Sequence, residues 1–159
     1  MKYLNIEQAE VQNGLGLGVT LYVSGCDHHC KCCFNKESWN KENGIEFTSE
    51  TLYYLIEVLK GKSRLTVSGG DPLAKYNIGY VLTIIDKVKE VYPSIKIWVY
   101  TGYTMSEISV KTLSRLNNID YLVDGKYDAE STSLLPFRGS DNQVIWQNKN
   151  GIFNRVDKW

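Results

Sequence analysis

Outside the eleven-residue window Gly25–Asn35, this 159-residue chain contains no cysteine and no histidine. Its four cysteines (Cys26, Cys30, Cys32 and Cys33) and two histidines (His28 and His29) all fall inside that window. Four cysteines within eight residues would close only tiny loops. That excludes a secreted disulfide framework and points to free thiols in a reducing compartment, the cytoplasm. Net charge is lacking too: 18 basic side chains balance 18 acidic ones, so no basic field is aimed at nucleic acid or a membrane surface. No apolar run reaches membrane-spanning length, and the start, Met1-Lys2-Tyr3-Leu4-Asn5, does not read as a signal peptide. Repeats, low-complexity segments and linkers are absent. With 43% hydrophobic and 23% charged residues, the composition is that of an ordinary soluble protein. A chain of this length is expected to form one domain over 1–159 with a substantial core.

Three of the cysteines follow the spacing C-x3-C-x2-C, at 26, 30 and 33. Thiolates are the ligands of iron–sulfur clusters, and a cubane has four irons to ligate. Three protein thiolates leave one iron open, and an open metal position is where a small molecule binds and reacts. The alternative is a structural zinc site using Cys26, Cys30 and one or two of Cys32, Cys33, His28 and His29. Structural zinc sites usually pair two ligand knuckles across a long spacer, and no second knuckle exists here. On spacing alone both remain open.

Along the chain, strands alternate with helices. Asn13-Gly-Leu-Gly-Leu-Gly18 precedes the first strand instead of following one, so it is no dinucleotide fingerprint. It reads as a flexible loop over the site. Val19–Val23 is a β-branched and aromatic strand that runs straight into the cysteine window. A helix is expected from Thr48 or Ser49 to about Lys60, with Leu52, Leu55, Ile56 and Leu59 as its apolar face. Arg64–Val67 forms the next strand and ends in Ser68-Gly69-Gly70-Asp71-Pro72. A helix over about Asn77–Val91 buries Ile78, Val81, Leu82, Ile85 and Val88. Ile95–Tyr100 is a strand ending in Thr101-Gly102-Tyr103. Thr104-Met-Ser-Glu107 fits a capping box and predicts a helix to about Leu116. Ile119–Val123 is a strand ending in Asp124-Gly125-Lys126, and Asn150-Gly151 between apolar runs predicts a terminal hairpin. Each glycine-and-polar cluster follows a strand, the edge where α/β folds place their active sites. That favours an enzyme over a structural module, although any one such cluster is also an ordinary turn.

Cys26-x3-Cys30-x2-Cys33 resembles the cluster motif of the radical S-adenosylmethionine enzymes. Val23-Ser24-Gly25-Cys26 and Cys33-Phe34-Asn35-Lys36 resemble one branch, the activating proteins of anaerobic ribonucleoside-triphosphate reductase. Ser68–Leu73, Trp98–Tyr103, Leu122–Lys126 and Phe137-Arg138-Gly139-Ser140-x-Asn142-Gln143 resemble later stretches of the same branch. The resemblance covers about Asn13–Gln143. It implies an α/β fold: an open, partial (β/α) barrel of radical SAM type with a mainly parallel sheet, since eight strand–helix units do not fit in this length. It implies a [4Fe–4S] cluster on Cys26, Cys30 and Cys33, with S-adenosylmethionine at the open iron. Gly69, Gly70 and Asp71 are then expected to hold the amino group of its methionine part, and Thr101 and Asp124 its ribose or methionine part. The residue before the third motif cysteine is often aromatic and touches adenine. Here it is Cys32, expected with Cys33 and Phe34 to border the cofactor; Phe34 takes the aromatic role, and Cys32 is an extra thiol, either a spectator or a competing ligand during cluster assembly.

Further expectations follow from the same resemblance. His28 and His29 stand beside the cluster or face a partner; Arg138 meets the S-adenosylmethionine carboxylate, the partner, or an acidic surface residue. The implied partners are the large catalytic subunit of the anaerobic reductase, which receives a glycyl radical, and a flavodoxin-like electron donor, with no nucleic acid and no membrane. The tryptophans are expected in the core or an interface. An activase for pyruvate formate-lyase is the rival enzyme, and a zinc-binding interaction module is the rival without catalysis.

Overall fold

The computed structural model describes residues 1–157; Trp159 lies outside them. Alternation within the strands sorts side chains onto two unlike faces. In β2 (Gly18–Val23) and β4 (Arg64–Gly69), the residues Val19, Leu21, Val23, Leu65 and Val67 point one way into an apolar core. In β5 (Lys96–Tyr100), Ile97 and Val99 join them, and so does Leu122 of β6 (Tyr121–Asp124). This face is covered by α1 (Ser49–Val58) and α2 (Ile78–Val91), through Leu55 and through Val81, Leu82, Ile84, Ile85 and Val88. Each such side chain, fully buried, contributes about 1.5–3 kcal/mol. The intervening residues Thr20, Arg64, Thr66 and Trp98 make the opposite face polar and aromatic, yet buried.

Strands β2, β4, β5 and β6 pair in parallel in that order. β1 (Lys2–Glu10) and the two-residue β3 (Ile45–Glu46) extend the sheet antiparallel beyond β2. β7 (Val144–Lys149) and β8 (Ile152–Arg155) do the same beyond β6. The eight strands run β3-β1-β2-β4-β5-β6-β7-β8 in an open sheet. The α/β class and openness agree with expectation. The sheet is not mainly parallel, since only three of its seven strand pairings are.

Three local expectations are corrected. The helix over 104–116 shrinks to α3 (Val110–Leu113). Glu107 does accept from the Thr104 N–H (2.7 Å), but Ser109, extended at ψ 149°, interrupts the turn and caps a new start. β1 carries no clear alternation and buries only Ile6 and Glu10, so its pattern is silent. The glycine loop after it is pinned, not flexible. Glu10 accepts from the N–H groups of Gln12 and Asn13 and pairs with the buried Arg64 guanidinium, which also donates to the carbonyls of Asn13 and Gly16. Cβ atoms at Gly14 and Gly18 would stand 2.7 and 2.6 Å from the Arg64 side chain, which is why the loop needs glycine there. The Asn150-Gly151 hairpin forms as expected, with φ 56° and 86°.

Candidate functional site

The C-terminal ends of the four parallel strands meet on one edge, and a cavity of about 280 Å³ opens there. Cys26, Cys30 and Cys33 line it together with Phe34, Gly69, Gly70 and Thr101. Cys32 does not: its thiol is exposed, on a backbone turned left-handed at φ 57°. The structure thus sorts the four thiols three and one.

The cysteine segment is a closed loop. The N–H groups of Gly25 and Cys26 donate to the carbonyls of Ser38 (2.6 Å) and Trp39 (3.1 Å), which end a 3-10 turn over Lys36–Trp39. Asn77 Nδ2 donates to both Ser24 O (2.8 Å) and Asp71 O (3.0 Å), tying the loop's entry to the end of β4. Gly70 sits so close to Gly25 that a Cβ would lie 2.3 Å from the Gly25 carbonyl oxygen. A Cβ on Gly69 would lie 2.8 Å from Val23 N and O. The glycine pair is therefore required by the neighbouring backbone itself, besides bordering the cavity.

Asp71 is buried, and its carboxylate is fully engaged. It accepts from Leu73 N (2.8 Å), from Thr101 Oγ1 at both oxygens (2.9 and 3.0 Å), from Gly102 N (3.1 Å) and from His28 Nε2 (2.5 Å). It does not line the cavity; His28 and Gly102 do. Asp124 is likewise buried, accepting from Met105 N (2.6 Å) and Val144 N (3.2 Å), and stands behind the wall. His28 fits because Gly102 has no side chain: a Cβ there would lie 2.3 Å from the imidazole. Its ring packs edge-on against Tyr103 at 4.6 Å. His29 is exposed and leans on Trp39 at the same centroid distance.

Sequence reasoning missed Tyr127 and the cavity-lining role of Asn13 and Gln143. Tyr127 packs against the exposed ring of Phe34 at 4.8 Å. Gln143 bonds the N–H groups of Gly139 (2.7 Å) and Ser140 (3.2 Å) and the Gly125 carbonyl (2.9 Å), closing the far wall. Arg138 donates to the Gln143 carbonyl (3.1 Å) and so braces that wall.

Burial pushes the Cys26 thiol up to about 11, against the His28 and His29 N–H groups that stabilise its thiolate; the nearby Asp71 charge adds to the rise. Loading a metal there would release a proton.

A family model described as a 4Fe-4S single cluster domain matches residues 12–146. A protein of Enterobacteria phage T4 is 37% identical over 96% of this chain and 98% of its own length. One of Pasteurella multocida is 38% identical over 92% and 98%, and one of Vibrio cholerae 40% over 91% and 97%. All three are named anaerobic ribonucleoside-triphosphate reductase-activating proteins. The chain belongs to that family.

The thiols fit a cluster of the kind the family description names. Cysteine is the donor type of iron–sulfur centres. Cys26, Cys30 and Cys33 line one cavity wall, an arrangement that suits a cubane, whose ligands spread over separate irons. Asn35 N also points at Cys33 Sγ (3.4 Å), the kind of N–H···S contact that tunes such centres. Among the described residues, no helix is long and apolar enough to cross a membrane.

Proposed function

We propose that this chain cleaves S-adenosylmethionine reductively and uses the resulting radical to activate an anaerobic ribonucleoside-triphosphate reductase. The observation that carries this reading is the sorting of the thiols: Cys26, Cys30 and Cys33 border one cavity at the parallel strand ends, while Cys32 stays outside. Three thiolates would hold a [4Fe–4S] cluster and leave one iron for the amino and carboxylate groups of S-adenosylmethionine. When bound, such a cluster would supply the one electron needed to break the S–C5′ bond of S-adenosylmethionine, with methionine as one product and the hydrogen atom from a glycine Cα of the reductase leaving in 5′-deoxyadenosine. The electron would come from a flavodoxin-like donor, and the unpaired electron would remain on the partner as a glycyl radical.

The chain's own work is placement. Ser68–Gly70 offers strand-end backbone to the methionine amino group, Phe34 a ring face to the adenine, and Thr101 a wall to the rest. Asp71 and Asp124 act one layer back, by fixing Thr101, Gly102, His28 and the loop at Met105. No general acid or base is called for in hydrogen-atom transfer, which suits a site whose one buried histidine is bonded to a carboxylate. On this reading the sheet is a partial radical SAM barrel, and the four free thiols support a reducing, cytoplasmic setting.

The test is low-temperature EPR on anaerobically reconstituted, reduced protein with and without S-adenosylmethionine. A [4Fe–4S]⁺ signal that changes on addition, with 5′-deoxyadenosine produced, is the expected result. Stoichiometric zinc and no cluster signal would replace it with a structural knuckle.

A further inference from the structure

Between β6 and β7 the chain leaves the sheet and returns as a tied-off hairpin. Its base is closed by the Thr132–Ser140 bridge, by Ser133 N donating to Gly139 O (3.1 Å) and by Asp141 N donating to Ser131 O (2.8 Å). Its return arm is anchored on the polar and aromatic face of the sheet. The Phe137 ring meets Trp98 edge-on at 5.4 Å, and the Phe137 carbonyl accepts from the Tyr100 hydroxyl (2.8 Å). Gly139, two residues on, already lines the cavity.

The tip of this hairpin is Leu134-Leu135-Pro136. Leu134 is wholly exposed and Leu135 is 53% exposed. Single exposed leucines are commonplace; this pair differs in three ways. The segment Ser131–Phe137 has no charged side chain to solvate it. It is tied at its base and at Phe137, whose backbone is left-handed at φ 62°, uncommon outside glycine. And it is continuous with the cavity wall, beside a mouth where Phe34 is 83% exposed. Strained backbone clusters at functional segments, and a tip tied at both arms loses less entropy on docking than a free loop.

We infer that Leu134 and Leu135 form a docking knob that enters an apolar pocket on the reductase, next to the segment bearing the target glycine. The inference rests on the activation reading above. The reacting group belongs to a protein, so that protein must cover the cavity mouth, and the hairpin tip and Phe34 are the apolar surfaces it meets there.

The experiment uses the reconstituted protein and the reductase. In the double variant Leu134→Ser, Leu135→Ser, cleavage of S-adenosylmethionine without reductase stays at the unaltered rate, because neither side chain reaches the cavity. Glycyl radical yield, read by EPR against reductase concentration, then needs on the order of 10- to 100-fold more reductase for half-saturation. The yield at saturation is unchanged. Leu134→Met with Leu135→Met restores the original concentration dependence, and Tyr53→Ser, an exposed aromatic on α1, leaves it unaltered. Half-saturation at the original concentration in the double serine variant would overturn the inference. So would sedimentation in which the unaltered chain self-associates and the serine variant does not, because the knob would then serve a second copy. Absence of cleavage in the unaltered protein would overturn the activation reading and this inference with it.

Discussion

His28 Nε2 lies 2.5 Å from Asp71 Oδ2, joining the middle of the cysteine loop to the end of β4. An ionised carboxylate only accepts, so the imidazole N–H is the donor. Both side chains are withdrawn from water, at 9% and 1% exposure. Thr101 and Gly102 bond the same carboxylate, so one buried group gathers the ends of three parallel strands around the cavity. The pair acts as a latch on the loop between Cys26 and Cys30.

Releasing the latch should loosen the metal site without unfolding the sheet. His28→Ala is expected to weaken iron loading by about 10- to 100-fold, the usual cost of losing a group that orients a metal ligand. Anaerobic reconstitution at limiting iron, with circular dichroism as the folding control, measures it. His28→Gln, which keeps an N–H donor, should recover part of the loss. Equal iron uptake by all three proteins would remove the latch role.

The four thiols should separate cleanly. Cys26→Ala, Cys30→Ala and Cys33→Ala each abolish the cluster signal and 5′-deoxyadenosine formation, while Cys32→Ala keeps most of both. Iron, sulfide and product assays on the four variants check this. Loss confined to the Cys32 variant would mean the ligand set is wrong.

Gly70→Ala tests the backbone contact beneath the loop. Its Cβ would stand 2.3 Å from the Gly25 carbonyl oxygen, an atom of backbone that cannot swing aside. Overpacking of this kind costs about 1–3 kcal/mol, a fall in melting temperature of about 2–4 °C per kcal/mol at this chain length. Gly79→Ala, where nothing lies within 4 Å, is the matched control and should leave the melting temperature nearly unchanged or raise it.

Acid should act through Glu10. Burial works against its charge, but hydrogen bonds from Arg64, Thr20 and Asn13 and the Arg64 charge outweigh it, so its pKa lies below the usual 4.5. A carboxyl depressed in the folded state contributes stability that is complete above the unfolded value and is lost as pH falls through the folded one. Glu10→Gln is therefore expected to cost about 3–5 kcal/mol at pH 7, by leaving Arg64 buried without its partner. It should also flatten the loss of stability on acidification below 4.5. Urea titrations of both proteins across that range measure the difference, in which the other acidic groups cancel.

Much of the fold could be read from the chain because apolar β-branched runs and helical stripes coincide with burial, as in Val19–Val23 and Val81–Val88. β1 escaped because a strand that buries only Ile6 and Glu10 leaves no alternation to read. α3 failed for the opposite reason: the capping pair Thr104–Glu107 is real, but local chemistry was not continued by packing. The cysteine motif lies at the cavity, with Cys26, Cys30 and Cys33 on its wall. The roles of Asp71 and His28 were not legible, because a glycine 74 residues beyond His28 makes the room for its ring, and no local pattern encodes that. Tyr127 gave no signal for the same reason: it meets Phe34, distant in the chain, across the cavity mouth.

The cysteine loop also has a consequence for the order of assembly. Its four thiols fall within eight consecutive positions. The groups that give the loop its shape come later: Asp71 lies 43 residues downstream of His28, and Thr101 and Gly102 follow another strand–helix unit on. Until β4 and β5 have joined the sheet, the three thiols belong to an unshaped chain segment. The loop's shape therefore depends on β4 and β5 being in the sheet, so loading is expected to follow folding of the scaffold. The cellular machinery that delivers iron and sulfide would meet a finished fold with an open edge, not a nascent chain.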